Sequence, residues 1–136
     1  MNAPPRILYV DDDADYVQAM AARCQSLGAA VRTAKNALTA MSIAENWRPD
    51  VVCFDVEMPT ANGLDVCQFL ETATDVAGST FIAITGRTDR DTVRRCQELR
   101  AHYIAKSPST WRQLRDVLCS VFPQIESPAE TASCES

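Results

Sequence analysis

The chain of 136 residues is predicted to form one α/β domain around a parallel sheet. Short apolar runs alternate with stretches in which apolar residues recur at helical spacing, which is the pattern of βαβ units with right-handed crossovers. Acids, a hydroxyl group or an amine stand directly after four of the five apolar runs. A chain of this length can bury roughly 70% of its unfolded surface, so one core is expected to suffice without disulfides.

The first half of the chain contains three strands and three helices. Acids, Gly or Pro, which end regular structure, stand beside each apolar run. Gly28 is the expected C-terminal cap of the first helix, and Pro49 follows the second. The predicted elements are strand 6–10 (RILYV), a helix from the Asp11–Asp13 acids to about Leu27, strand 29–33, helix 36–47, strand 51–54 (VVCF) and helix 64–73.

The second half repeats the alternation. A strand at 79–84 (STFIAI) precedes Thr85 and Gly86, and a strand at 102–105 precedes Lys106. Helices are predicted over about 89–100 and 110–122. We therefore expect an N-terminal extension at 1–5, a domain at 6–122, and a polar, disordered tail or linker at 123–136.

Charged and polar side chains at the strand ends predict a ligand site. In an open parallel sheet, ligands bind beyond the carboxyl ends of the strands. Asp11 and Asp12 follow the first strand, Asp55 the third, Thr85 the fourth and Lys106 the fifth. Consecutive acids repel one another unless a cation compensates them, so the first cluster favours a metal site over helix capping alone.

Composition excludes several classes of protein. No apolar run approaches ~20 residues and the N-terminus lacks the order of a signal peptide, so a cytoplasmic protein without a membrane span is predicted. The six cysteines are scattered beside a single histidine, which gives no support to a zinc site and predicts core thiols instead.

The net charge of -5 is unevenly distributed. Residues 87–115 carry eight Lys or Arg against three acids, so the acidic excess lies elsewhere in the chain. Such a bias indicates either a solvated helix face or a docking surface for an acidic partner. A single domain offers no place for a separate recognition helix, so direct DNA binding is not expected.

Four motifs, LYVDDD, VVCFDVEMPTANG, FIAITG and HYIAK, occur in this order. With them, residues 6–122 resemble the response-regulator receiver domain of two-component signalling. The resemblance implies a flavodoxin-like, doubly wound, five-stranded parallel sheet in the order 2-1-3-4-5 with five helices. It also implies that Asp55 accepts a phosphoryl group from the phosphohistidine of a sensor histidine kinase or phosphotransfer protein, in a signalling role and not as an enzyme.

The chemistry of the acids agrees with that role. A carboxylate that attacks phosphorus meets anionic oxygens, whose charge a divalent ion must screen. The resemblance implies Mg²⁺, or Mn²⁺, bound by Asp12, Asp55 and the backbone carbonyl of Glu57, with Asp11 acting through water. Carboxylate and carbonyl oxygens are the ligands that Mg²⁺ prefers.

The resemblance also assigns a response to phosphorylation. Lys106 pairs with the phosphoryl oxygens, and Thr85 donates its hydroxyl to one of them. Thr85 and Tyr103 then act as a switch that alters the face made by the fourth helix, the fifth strand of the sheet and the fifth helix. That face is the expected surface for an output partner or a homodimer. In the simpler interpretation, Tyr103 is a half-buried strand residue.

Three departures from the family pattern stand out. Ser107 separates Lys106 from Pro108, where the family has Lys-Pro with a cis bond. The segment 99–101 (Leu-Arg-Ala) replaces a Gly-Ala pair, so the fourth helix is expected to end differently. Glu57 adds a negative charge beside Asp55 and is expected to change the lifetime of the phosphoryl group, with the sign left open.

Two other functions remain as alternatives. A domain with this fold can serve as a binding module that takes no phosphoryl group. A phosphatase of the DxD type would use Asp11, and not Asp55, as its nucleophile. The complete set of acid, threonine and lysine argues against the first alternative.

Overall fold

A computed structural model of the chain describes residues 3–58, 61–72 and 78–125. Its main feature is a five-stranded parallel sheet in the order β2-β1-β3-β6-β7. Counted along the chain, these five strands have the order 2-1-3-4-5, which confirms the predicted fold class. The strands are β1 Arg6–Val10, β2 Ala30–Ala34, β3 Val51–Phe54, β6 Thr80–Thr85 and β7 His102–Ala105.

Five helices connect the strands as predicted, with ends that shift by one or two residues. An additional antiparallel pair, β4 Glu57–Met58 and β5 Ala61–Asn62, was not predicted, because the sequence PTANG reads as a turn. The helices are α1 Ala14–Ser26, α2 Ala37–Trp47, α3 Gly63–Thr72, α4 Arg90–Glu98 and α5 Thr110–Val121. None of the helices in the described ranges is long and apolar enough to cross a bilayer.

The core is divided by the sheet into two layers. Helices α1 and α5 cover one face, where Tyr9, Cys53 and Leu118 are buried. Helices α2, α3 and α4 cover the other, where Phe54 and Cys96 are buried. The central strand β3 is buried along its whole length because both of its faces are covered.

Helix ends agree with the capping signals in the sequence. Asp13, Asn36 and Asp89 each accept a backbone hydrogen bond at the start of a helix. Gly28 adopts a φ of 95° just beyond α1, as expected for a residue that ends a helix in the left-handed conformation.

The ordered chain extends beyond residue 122. Pro123–Ile125 forms a 3₁₀ helix, and Ile125 is buried against the α1–α5 layer of the core. At the other end, Pro5 is buried and its carbonyl accepts a hydrogen bond from Ala30. Of the tail predicted at 123–136, residues 126–136, including Cys134, lie outside the described residues, and the proposed domain boundaries remain a prediction.

Candidate functional site at the carboxyl edge of the sheet

The sheet itself positions the predicted site residues. The backbone N–H of Asp11 donates to Ala34, that of Asp55 to Val10, and that of Lys106 to Thr85, at 3.1, 3.0 and 2.9 Å. Each residue thus extends the ladder of hydrogen bonds one position beyond its strand. Side chains held by such regular structure are placed more accurately than those on free loops.

Three carboxylates converge at this edge. Asp11 and Asp55 are 1% and 7% exposed, whereas Asp12 faces solvent. One oxygen from each of the three lies within 4.8 Å of the other two. Such a set of hard oxygen donors, two of them buried, fits a divalent cation like Mg²⁺, which takes few protein ligands and keeps water on its open side.

Backbone N–H groups fix the orientation of the two buried carboxylates. Asp11 Oδ1 accepts a hydrogen bond from the N–H of Asp13, and Asp55 Oδ1 accepts one from the N–H of Glu57, both at 3.0 Å. The Oδ2 atom of each carboxylate points to Lys106. The two acids are therefore held by the chain from one side and by a cation from the other.

Lys106 joins the acids of β1 and β3. Its Nζ donates to Asp11 Oδ2 at 2.9 Å and to Asp55 Oδ2 at 3.0 Å. Partial burial lowers the pKa of Lys106, but the hydrogen bonds to the two carboxylates outweigh this effect, and the pKa is raised overall. The ammonium is consequently charged at neutral pH, and it lies within hydrogen-bond distance of Asp55.

The pKa of the Asp11 carboxyl is shifted by its buried, crowded position. Burial raises the pKa of this carboxyl above the usual value, against the opposing effects of the Asp13 N–H and the Lys106 ammonium. The nearby Asp55 carboxylate raises it further. A divalent cation would relieve this excess of negative charge.

Thr85 and Tyr103 both contact Arg87. Thr85 is fully buried, and its Oγ1 accepts a hydrogen bond from the Arg87 N–H at 3.2 Å. The Tyr103 hydroxyl donates to the Arg87 carbonyl at 2.6 Å, while its ring packs on the core between α4 and the sheet. The loop after β6 is therefore contacted by both of the predicted switch residues, and their role as a switch remains a prediction.

Glu57 lies at the rim of the site. Its side chain is 63% exposed, and one carboxylate oxygen is 4.0 Å from Arg87 Nε. Arg87 makes a closer ion pair with Asp89, at 2.9 Å. The residues two positions after Asp55 and two positions after Thr85 thus carry opposite charges that meet across the rim.

Gly63 allows the chain to pass close to Asp55. A Cβ atom at this position would overlap the backbone oxygen of Asp55 and the ring of Phe54. The N–H of Gly63 also donates to the Val56 carbonyl at 2.8 Å. The predicted turn glycine therefore has a second role, because it packs α3 directly against the strand end that carries Asp55.

The segment after Lys106 is held by side-chain hydrogen bonds. The N–H of Ser107 donates to Thr110 Oγ1 at 2.8 Å, and Thr110 Oγ1 donates to the carbonyl of Ala105 at 3.1 Å. The described residues contain no cis peptide bond. The insertion of Ser107 thus leaves Lys106 in place at the end of β7.

Two residues near the site were not anticipated from the sequence. Tyr16 lies with its ring centroid 4.6 Å from Lys106 Nζ, and Arg87 joins the rim to the switch residues. Tyr16 occupies an ordinary helical position, and Arg87 was counted only as part of the basic segment. Neither role shows in the sequence, because each depends on contacts between distant segments.

Comparison with known proteins places these motifs in a family. The family model described as "Response regulator receiver domain" matches residues 7–118. Response regulator MprA of Mycobacterium sp. (strain KMS) is 38% identical over 72 residues, 53% of this chain and 31% of that protein. DNA-binding response regulator MtrA of Mycobacterium tuberculosis (strain H37Rv) is 31% identical over 84 residues, 62% of this chain and 36% of that protein. The chain thus spans about a third of the length of these relatives.

Solved structures agree on the fold. The chemotaxis response regulator CheY4 of Vibrio cholerae superimposes with a TM-score of 0.78 at 23% identity, over 88% of this chain and 99% of that one. A CheY-like receiver domain protein from Methanospirillum hungatei superimposes with a TM-score of 0.81 at 23% identity, over 90% and 97% of the two chains.

Proposed function

Since the chain belongs to the response regulator receiver domain family, we propose that Asp55 is its phosphoacceptor. The observation that carries this proposal is the position of the Lys106 ammonium, 3.0 Å from Asp55 Oδ2 and 2.9 Å from Asp11 Oδ2, beside the Asp12 carboxylate. A buried nucleophile with a fixed cation on one side and a cluster of metal-ligand type acids on the other suits phosphoryl transfer. Asp11 makes the same kinds of contact as Asp55, so the alternative in which Asp11 is the nucleophile of a DxD phosphatase is separated from this proposal by the labelling of variants.

The proposed step transfers a phosphoryl group from the phosphohistidine of a sensor kinase or phosphotransfer protein. A carboxylate oxygen of Asp55 attacks phosphorus, the P–N bond breaks, and the imidazole leaves with the electron pair. Lys106 follows the phosphoryl oxygens as charge moves onto Asp55, and the Thr85 hydroxyl turns to donate to one of them. The protein acts as a signalling acceptor whose own chemistry is limited to gaining and losing this group.

Mg²⁺ or Mn²⁺ would be held by Asp12, Asp55 and the Glu57 carbonyl, with Asp11 acting through water. Bound there, the ion would supply positive charge that reduces repulsion between the attacking carboxylate and the phosphoryl oxygens. The donor set of the site supports this choice, because carboxylate and carbonyl oxygens match the preference of Mg²⁺.

The proposed output is a change at the face formed by α4, β7 and α5. Thr85 and Tyr103 both make a hydrogen bond to the backbone of Arg87. A movement of the Thr85 hydroxyl would therefore change the contact that holds the Tyr103 side chain. Phosphorylation would shift the population between two arrangements of this loop. The basic residues of α4 suit an acidic output partner or a homodimer partner. We also propose that the domain acts in the cytoplasm and contacts neither DNA nor a membrane directly.

Labelling with a small phosphodonor tests the assignment. The wild-type protein incubated with Mg²⁺ and acetyl phosphate should gain the mass of one phosphoryl group, and Asp55→Asn should abolish this gain. Asp116→Asn, at an exposed acid of α5, serves as the matched control and should be labelled like the wild type. Labelling that survives Asp55→Asn but is lost in Asp11→Asn would favour the phosphatase alternative, and no labelling at all would favour the binding module.

A further inference from the structure

We propose that Tyr16 is a positioning residue for phosphoryl transfer, whose ring holds the Lys106 ammonium in place over Asp11 and Asp55. The ring centroid lies 4.6 Å from Lys106 Nζ, well within the range of cation–π attraction. This inference rests on the proposed function of Asp55, because Lys106 has its role through that residue.

The ring completes the surroundings of the ammonium. A lysine ammonium has three N–H donors, and two of them are used by the carboxylates of Asp11 and Asp55. The electron-rich face of Tyr16 is the third feature that attracts it. With all three in place, the ammonium is held in one position although the side chain of Lys106 remains 27% exposed.

Tyr16 is itself fixed from two sides. It lies in the first turn of α1, and its N–H donates to Asp13 Oδ1 at 3.1 Å. Its ring contacts the ring of Tyr9 edge to face, with centroids 6.4 Å apart and an interplanar angle of 66°. Tyr9 is 1% exposed on β1, so the ring of Tyr16 packs against the core on this side.

The ring, and not the hydroxyl, is the part of Tyr16 that the arrangement uses. The Tyr16 hydroxyl is buried near that of Tyr9, and among the described residues neither makes a hydrogen bond of ordinary geometry, whereas the face of the ring lies against Lys106. Phenylalanine should therefore replace tyrosine at this position, whereas an aliphatic side chain such as leucine should not. This difference separates cation–π attraction from simple packing.

Without the ring, Lys106 would spend more of its time away from Asp55. An ammonium on a flexible four-carbon stem is drawn to water when fewer groups hold it. In a larger fraction of molecules the ammonium would then be absent when negative charge develops on the phosphoryl group. We expect slower phosphorylation, with no direct effect on the acids that hold the metal.

The first test compares Tyr16→Phe with Tyr16→Leu. In acetyl phosphate with Mg²⁺, Tyr16→Leu should be phosphorylated about threefold to tenfold more slowly, and Tyr16→Phe within about twofold of the wild-type rate. The matched control is Trp111→Leu, which removes a similar cation–π contact of α5 with Arg23, at 5.8 Å and away from the site. Equal losses in the Phe and Leu variants, or an equal loss in the control, would overturn the proposal.

The second test asks whether Tyr16 acts through Lys106. The affinity for beryllofluoride is measured for Lys106→Met with and without Tyr16→Leu. If Tyr16 only positions Lys106, then Tyr16→Leu causes no further loss once the ammonium is gone. A loss as large as in the wild-type background would show a purely structural role.

The third measurement does not depend on phosphorylation. The ring current of residue 16 should shift the NMR signals of the Lys106 Cε protons upfield in the wild type and in Tyr16→Phe, but not in Tyr16→Leu. Absence of this shift in the wild type overturns the role of Tyr16, whatever the labelling shows. A wild-type protein that has the shift but takes no phosphoryl group overturns the proposed function of Asp55 itself.

Discussion

At the residue scale, burial of the charged Asp11 carboxylate lowers the stability of the fold, although the proposed metal site uses this carboxylate. The carboxylate is buried beside the Lys106 ammonium, which also pairs with Asp55, and burial raises its pKa. The folded protein thus holds the proton of Asp11 more firmly than the unfolded chain does. This group stabilises the fold below its unfolded pKa and loses that contribution as the pH rises through the folded pKa.

Asp11→Asn should therefore stabilise the protein at neutral pH while weakening metal binding. Lys106 keeps one carboxylate partner, Asp55, so no charge is left buried and unpaired. We expect the free energy of unfolding to rise by on the order of 1 kcal/mol in urea titrations without metal. The pH dependence between the two pKa values should also flatten. A destabilised variant would contradict this account of the site.

Glu57 is the exposed residue with the clearest predicted effect on kinetics. Replacing it by alanine removes a negative charge beside Asp55 and releases Arg87 from the 4.0 Å ion pair. Both changes favour an anionic group at Asp55, so the phosphorylated form of Glu57→Ala should decay about twofold or more slowly.

The decay is followed after phosphorylated protein is separated from the donor. Glu45→Ala, at an exposed acid of α2, is the control and should decay at the wild-type rate. Because the pair is exposed, high salt should reduce the difference between Glu57→Ala and the wild type. An unchanged or faster decay in Glu57→Ala would refute the electrostatic argument.

At the residue scale, the sequence could predict the groups that stand at strand ends. Asp11, Asp55 and Lys106 each follow a recognisable apolar strand, and the shared direction of the strands brings them together. Tyr16 could not be predicted in the same way, since its neighbours lie on β1 and after β7. Its contact depends on how α1 rotates about its axis, which the helical period alone does not specify.

The ends of α1 and α4 show how one helix-ending motif can use two different residues. At the end of α1, Gly28 donates to Gln25 and Ala29 donates to Cys24; after α4, Arg100 donates to Gln97 and Ala101 to Cys96. Both are Schellman motifs with a left-handed residue. That residue is Gly28, with φ 95°, in one case and Arg100, with φ 59°, in the other. Helix α4 was expected to end differently because it lacks the usual glycine, but it keeps the same motif with Arg100 in the left-handed position.

Arg100→Gly should stabilise the protein, because arginine pays a steric cost in this conformation that glycine does not. Part of the gain is lost to the greater freedom of glycine in the unfolded chain. We expect a net increase of about 1 kcal/mol in the free energy of unfolding, and a Tm higher by roughly 4 °C.

The reciprocal variant is Gly28→Ala, which introduces a Cβ at the corresponding position of α1. Nothing lies within 4 Å of that Cβ, so only backbone strain should lower its stability, by about 1 kcal/mol. A lower Tm for Arg100→Gly would mean that the arginine side chain contributes more than its backbone strain costs.

The elements themselves were largely predictable, with one informative exception. Apolar runs and helical spacing located all five strands and all five helices to within a few residues. The β4–β5 pair was missed because strands of two residues have no periodicity to detect. Its pairing of Glu57 with Asn62 places the missed element at the rim of the candidate site.

At the scale of the whole molecule, a metal bound by the acids at the sheet edge would couple its binding to folding. The three acids follow β1 and β3 and come together only in the folded protein. A metal that binds the folded state alone must raise its stability in proportion to its occupancy.

Mg²⁺ at about ten times its Kd should stabilise the wild-type protein by roughly 1.4 kcal/mol. Asp12→Asn should reduce this gain strongly, because it removes the exposed carboxylate of the cluster. Asp15→Asn, an exposed acid of α1 outside the cluster, should respond like the wild type. Thermal unfolding at several Mg²⁺ concentrations measures the effect, and equal gains in all three proteins would contradict the assigned site.

The global architecture followed from the sequence because each level of the pattern agrees. Strands that are buried on both faces read as continuous apolar runs, and their helices alternate between two layers. The sequence did not predict the helical turn at Pro123–Ile125. Ile125 lies beyond a proline in a polar segment, yet it is buried in the α1–α5 layer.

The buried cysteines give this molecule its own reporters of local opening. Cys24, Cys53 and Cys96 are fully buried on α1, β3 and α4, and burial raises the pKa of the Cys24 thiol to about 12 and those of the other two above their usual value. A thiol reagent can modify them only when the surrounding segment opens. The modification rate of Cys96 relative to that of Cys24 therefore distinguishes movement of α4 from unfolding of the whole domain, without the introduction of new cysteines.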